Sequence, residues 1–146
     1  MKYTVDILID LPRAKVIELF DNPELMPKWQ PDLVSFEPLS GAPSQPGSKA
    51  KLHYKMGKRE VEMIETIAKN TLPEELVATY ETKGVYNLIS NRFVATSDHQ
   101  TQWVSENEFQ FSGFMKLIGF FMKSAFPKQT LKFMNQFKTF AEATES

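Results

Sequence analysis

Along the first ten residues Tyr3, Val5, Ile7 and Ile9 alternate with Lys2, Thr4, Asp6 and Asp10, the period-2 pattern of a half-buried strand, broken only by Leu8. The pattern then changes. In PRAKVIELFD, Pro12 suits a first helical turn, and Val16, Leu19 and Phe20 share one apolar face, so a short helix ends near Asn22 and Pro23. The next segment, PELMPKWQPDL, holds three prolines around Met26 and Trp29. It allows one brief helical turn and then a rigid connection, which places Trp29 on a fixed loop.

Leu33–Leu39 reads as a strand, followed by the turn-rich loop SGAPSQPGS. In KLHYKM, Leu52, Tyr54 and Met56 point one way and Lys51, His53 and Lys55 the other, and Gly57 and Lys58 turn the chain into REVEMIETI. LVATYETK and VYNLISNRFVAT, joined at Lys83 and Gly84, are rich in β-branched and aromatic residues. A turn at Ser97, Asp98 and His99 leads into TQWVSENEFQF, where Trp103, Ser105, Asn107, Phe109 and Phe111 share a face.

From Ser112 and Gly113 a helical period runs almost to the C-terminus, and nine of the twelve phenylalanines lie from Phe109 onward. At 100° steps Met115, Ile118, Met122, Phe126, Gln129, Phe133, Phe137 and Phe140 fall in one arc of about 100°, with Gln129 its only polar member. Pro127 is expected to kink or split this helix near Lys123 to Phe126. One strand, a short helical pair, about six further strands and a long final helix make an α+β layout with antiparallel pairing.

Composition narrows the chemistry. The 146 residues, 42% hydrophobic and 24% charged, predict one domain over 1–146. There is no cysteine and only His53 and His99, so neither a metal nor a cofactor is expected. A net charge of -1 gives no prior for nucleic acid. The N-terminus lacks a secretory-signal pattern and no apolar stretch reaches the roughly 20 residues of a bilayer span, so a cytoplasmic protein is expected. No Ser-His-Asp ordering, phosphate-binding glycine loop or carboxylate pair stands out.

The order of elements and several local residues resemble the START-like, or SRPBCC, superfamily with the helix-grip fold of the birch-pollen allergen. The most specific part is VDILIDLPRAKVIELFDNPELMPKWQPDL, with Ile9, Pro12, Val16, Phe20, Asp21, Trp29 and Pro31. Gly47 is similar to the family's glycine before the third strand, Thr101 and Trp103 to the start of its last strand, and LKFMNQFKTFAE to its final helix. Among the branches, the polyketide cyclase and lipid-transport group is most similar. The resemblance implies a seven-stranded curved antiparallel sheet around the C-terminal helix, two short helices between the first and second strands, and an apolar cavity between sheet and helix. The Pro127 break and the phenylalanine density from Gly113 to Phe126 depart from the plainest family pattern.

On these alternations the inner face includes Leu52, Tyr54, Met56, Val61, Met63, Glu65, Tyr80, Asn91, Phe93, Trp103, Ser105 and Asn107, opposed by Met122, Phe126, Gln129 and Phe133, with Trp29 nearby. This lining either fills a solid core or accommodates a hydrophobic ligand bearing one or two polar groups. Glu65 shares parity with Val61, Met63 and Ile67, where a desolvated carboxyl would serve as a general acid or base. Glu60, Glu62 and Ile64 leave that parity open, and a bulge that puts Glu65 outside is the favoured placement. Asn91, Ser105, Asn107 and Gln129 either orient a head group or satisfy one another. Arg92 and His53 are expected outside. The expected partner is a lipid, fatty acid, sterol-like compound or polyketide, carried or sensed. The alternatives are a cyclase or dehydratase using Glu65 with Tyr54, Tyr80 or Asn107, and a protein-interaction module. Residues 113–128, apolar with Lys116, Lys123 and Lys128, also suit transient membrane-surface contact, against packing as a core helix.

Overall fold

The computed structural model describes residues 1–144. The last two positions of the expected 1–146 domain lie outside the described residues. The chain runs β1 (Lys2–Ile9), α1 (Arg13–Phe20), a 3-10 turn (Pro23–Leu25), α2 (Met26–Trp29), β2 (Leu33–Ser40), β3 (Lys49–Met56), β4 (Arg59–Asn70), β5 (Glu75–Thr82), β6 (Val85–Ser97), β7 (Gln100–Phe111), α3 (Met115–Phe121) and α4 (Ala125–Thr144). The seven strands form one antiparallel sheet in the order β1-β7-β6-β5-β4-β3-β2. Only the β1–β7 pairing joins strands distant in sequence, because the helical segment after β1 carries the chain across to the far edge of the sheet.

Period-2 patterning sets which side chains face α4. In β1 the burial alternates without a break, Leu8 being exposed as the odd residue out. Register then carries the inner face across the sheet: Ile7 lies opposite Trp103, which lies opposite Phe93, and Val5 opposite Ser105, which lies opposite Asn91. The turn at Gly57 and Lys58 and the turn at Lys83 and Gly84 lie where the sequence places them, with both glycines at positive φ. Trp29 closes α2 rather than sitting in a loop, and it is buried.

The core forms around aromatic rings from five elements. Phe20 of α1 lies 5.0 Å from Phe93, 5.3 Å from Trp103, 5.8 Å from Phe137 and 6.4 Å from Trp29 between ring centroids. Phe93, Trp103, Met134, Phe137 and Ala141 are almost completely buried in this cluster. Burial of each large side chain contributes about 1.5–3 kcal/mol, so the cluster is the main attachment of α4 to the sheet. Polar contacts along β1 fix its direction. Tyr3 Oη and Thr130 Oγ1 are 2.7 Å apart, Lys138 Nζ donates to the Leu8 carbonyl at 2.7 Å, and the Asp10 amide donates to Glu142 Oε2 at 2.8 Å.

The C-terminal helical period is split as the proline predicts, with the break at Met122–Ser124 and Pro127 in the first turn of α4, where its missing N–H costs least. Two expected inner residues are corrected. Met122 caps α3 outside a helical turn and is exposed, and Gln129 is exposed on α4. A single 100° phase carried through the break misassigns both: the buried line of α4 is Met134, Phe137 and Ala141, centred about 80° round the helix from the arc read across the break. Phe126 and Phe133 flank that line and are half-buried.

Truncation separates the two faces. Phe137→Ala is expected to cost about 3–5 kcal/mol and Gln129→Ala less than about 0.5 kcal/mol in urea unfolding. Equal costs would contradict this orientation of α4.

Candidate functional site

The inner face has two halves of different character. At the β1–β7–β6 side, beneath α4, it is closed by the aromatic cluster. Over β3, β4 and β5 it is sealed in part: Ala50, Leu52, Ile67 and Ala78 are buried, while Tyr54, Met56, Val61, Met63, Glu65 and Tyr80, which register also turns to the inner side, are half-buried. The backbone of α4 runs close beside β1 and approaches none of these three strands comparably.

Glu65 corrects the sequence expectation. The β3–β4 register is unbroken from Lys49 opposite Thr66 to Met56 opposite Arg59, which puts Glu65 opposite Ala50 on the inner face. The irregularity in β4 lies beyond it, between Ile67 and Lys69, so it displaces Ala68 and leaves Glu65 facing in. Glu65 pairs with Tyr80, and Tyr80 with Asn87, so the three stand in one row across β4, β5 and β6. Tyr80 Oη donates to Glu65 Oε2 at 2.7 Å. Burial pushes the Glu65 carboxyl above its ordinary value, and the Tyr80 hydrogen bond offsets part of that shift. Tyr80 is raised well above an ordinary phenol, by burial first and by the Glu65 charge second. Tyr54 is raised by the same two causes, and its Oη donates to Gln30 Oε1 at 2.7 Å. Both phenols therefore keep their protons and act as donors across the physiological range, beside one carboxyl held in a poorly solvated place.

The remaining candidates divide by their partners. Asn91 Oδ1 accepts from Trp103 Nε1 at 2.9 Å and Asn107 Nδ2 donates to Ser105 Oγ at 2.9 Å, so these four satisfy one another inside the core. Phe93 and Trp103 are packed solid, and Trp29 lies 4.8 Å from Phe133 and 5.0 Å from Phe137. Trp29 Nε1 is buried with no acceptor among the described residues. Phe126 stands over Phe109 at 4.9 Å and Phe111 at 5.4 Å. Arg92 pairs with Glu106 on the outer face, and His53 is turned to that face beside Glu60.

Gln30 and Asn87 are absent from the candidates read from sequence. Asn87 was findable, since it shares parity with Asn91 on β6. Gln30 was not, because only the fold brings the C-terminus of α2 to β3. A cleft of about 370 Å³ opens at the strand ends beyond the Glu65–Tyr80–Asn87 row, lined by Thr82, Val85 and Phe111 and equally by Glu81, Tyr86 and Gln110 of the opposite face, and it does not include Glu65, Tyr80 or Asn87. Among the described residues no three His, Asp or Glu side chains converge as a metal site requires.

Comparison with known proteins agrees with this architecture. A family profile described as polyketide cyclase/dehydrase and lipid transport matches residues 1–142. No curated protein sequence matches the chain. Among solved structures, the Zhui aromatase/cyclase from Streptomyces sp. R1128 superposes with a TM-score of 0.83 at 13% identity, over 100% of this chain and 96% of that one. Ara h 8.0201 gives 0.78 at 16% identity, over 98% of each chain. Norcoclaurine synthase from Thalictrum flavum, in complex with dopamine and hydroxybenzaldehyde, gives 0.72 at 12% identity, over 100% and 88%. At such identities the structural matches establish the shared fold, and the profile establishes the family: the chain belongs to the polyketide cyclase/dehydrase and lipid transport family.

Proposed function

We propose that the protein binds a small hydrophobic molecule, a lipid, fatty acid, sterol-like compound or polyketide, between the sheet and α4, and needs no cofactor to do so. The observation that carries this reading is the Glu65–Tyr80 pair on an otherwise mostly apolar inner surface that α4 leaves half-buried. Apolar contact there supplies affinity at about 25 cal/mol per Å², while a desolvated carboxyl and two phenol donors orient one polar group. Lining residues are Tyr54, Met56, Met63, Glu65, Tyr80 and Phe126. Asn91, Phe93, Trp103, Ser105 and Asn107 support this surface from within the core.

Native mass spectrometry of gently purified protein, before and after incubation with a lipid extract, is expected to show a reproducible hydrophobic adduct. Tyr80→Phe, which leaves the ring in place and removes the donor, is expected to weaken that adduct about tenfold. A chain that stays bare under both conditions would overturn the binding reading.

The inward Glu65 favours a second reading, acid–base catalysis. An aromatase/cyclase and a synthase seen with hydroxybenzaldehyde share this fold, so a carbonyl compound is a reasonable substrate class to propose here. Glu65 would take a proton from the carbon beside the carbonyl while a neighbouring phenol donates to the carbonyl oxygen. With a substrate identified from the adduct, Glu65→Gln is expected to lower turnover at least about 100-fold if the protein is an enzyme. Unchanged turnover would contradict that mechanism.

The elevated carboxyl also has a stability signature. A carboxyl raised on folding favours the folded state at low pH, and that contribution is lost as pH rises from about the ordinary value of 4.5 through the folded value. Glu65→Gln is therefore expected to gain stability over the parent chain as pH rises from 4 to 8. A gain that is flat with pH would place Glu65 in water, and a reversed one would mean that the fold stabilises its charge; either contradicts a desolvated carboxyl.

A further inference from the structure

A contiguous apolar surface stands at the opposite end of α4 from the aromatic cluster. Phe114, Leu117, Phe120, Phe121 and Met122 each leave between 49% and 76% of their surface exposed. The other exposed large apolar side chains among the described residues, Leu8, Val34, Leu39 and Val94, belong to strands and do not cluster in sequence. This outward display is built in, because the inner side of α3 is already occupied. A Cβ on Gly119 would come within 2.6 Å of the Phe111 ring, and one on Gly84 within 2.7 Å of Met115 Cγ, so α3 is seated against β7 and the β5–β6 turn at close range. Its remaining face has nowhere to turn but away from the protein.

Charge identifies what this face meets. Between Glu108 and Glu142 the sequence has no acidic residue and five lysines. Lys116, Lys123 and Lys128 are exposed around the apolar group, and Lys123 Nζ lies 5.2 Å above the Phe120 ring centre. The turns at the same end of the sheet add Lys58, Arg59 and Lys83, against Glu60 and Glu81. No described helix is long and apolar enough to cross a membrane. Protruding aromatic side chains flanked by lysines, on a stretch with no acidic residue of its own between Glu108 and Glu142, complement an interface whose outer layer is anionic and whose interior is apolar.

We propose that α3 and its flanks, Phe114 to Met122, dock on an anionic lipid surface, with the Phe120 and Phe121 rings inserted at the acyl boundary and Lys116 and Lys123 at the phosphates. Each lysine near such a surface strengthens partitioning about fivefold, so the paired substitution Lys116→Gln with Lys123→Gln is expected to weaken it about 25-fold. This docking is independent of whether a small molecule is held under α4.

Vesicle co-sedimentation tests it, using phosphatidylcholine alone and phosphatidylcholine with about one third phosphatidylglycerol, a content chosen to give a strongly anionic surface. The full chain is expected to sediment with the anionic vesicles, to be released by high salt, and to remain largely free with phosphatidylcholine. Phe120→Ser with Phe121→Ser is expected to abolish sedimentation while its circular dichroism matches the parent. The lysine pair supplies the same test without changing an apolar side chain. Failure of the parent chain to bind anionic vesicles overturns the proposal, as does parental binding by both variants. A concentration-dependent dimer in sedimentation velocity that the phenylalanine pair abolishes, with vesicle binding unaffected, would assign the face to a second copy of the chain and also overturn it.

Discussion

The ring cluster of Phe20, Phe93, Trp103 and Phe137 is the interaction on which the rest of the architecture depends. It brings α1, two central strands and the last helix to one point, and side chains from these elements are almost completely buried there. Because it grips α4 toward its C-terminal half, and because Tyr3, Leu8 and Asp10 hold the helix along β1, the helix crosses the sheet off-centre. Two consequences follow at the far end. On the inner surface of β3–β5, Tyr54, Met56, Val61, Met63, Glu65 and Tyr80 are left half-buried around the buried Leu52 and Ala78, and the short helix α3, seated on β7, turns its apolar outer face to solvent.

Polar groups on the inner surface sort by how completely they are satisfied. Asn91 accepts from Trp103 and Ser105 accepts from Asn107, so these buried polar side chains are hydrogen-bonded to one another within the core. Glu65 is different, since one phenol meets one of its oxygens in a place that disfavours its charge. A carboxyl in that position costs stability at neutral pH. Recognition or proton transfer at this surface, as proposed above, would account for that cost.

Much of the fold was legible because alternation is local: the seven strands, the hairpin turns at Gly57 and Gly84, and the proline-marked break in the last helical run all follow from spacing in the chain. The failures have separate causes. One helical phase carried across a break puts Met122 and Gln129 inside, and treating a proline-rich stretch as a rigid connection puts Trp29 in a loop where it is the last residue of α2. For Glu65 the local pattern was balanced between two faces, and only pairing with β3 and β5 decided it. Gln30 reaches Tyr54 from a distant element, and no periodicity within either segment encodes such a meeting.

The central claim, that the surface over β3–β5 is accessible to a ligand while the surface beneath the aromatic cluster is solid, is tested most directly with the methionines. Met56 and Met63 lie on the half-buried surface and Met134 in the packed cluster. Methyl NMR of methionine-labelled protein during titration with oleate is predicted to shift Met56 and Met63 in a saturable manner and to leave Met134 nearly unmoved. Saturable shifts at Met134 with Met56 and Met63 unchanged, or no shift at any of the three, would contradict the account.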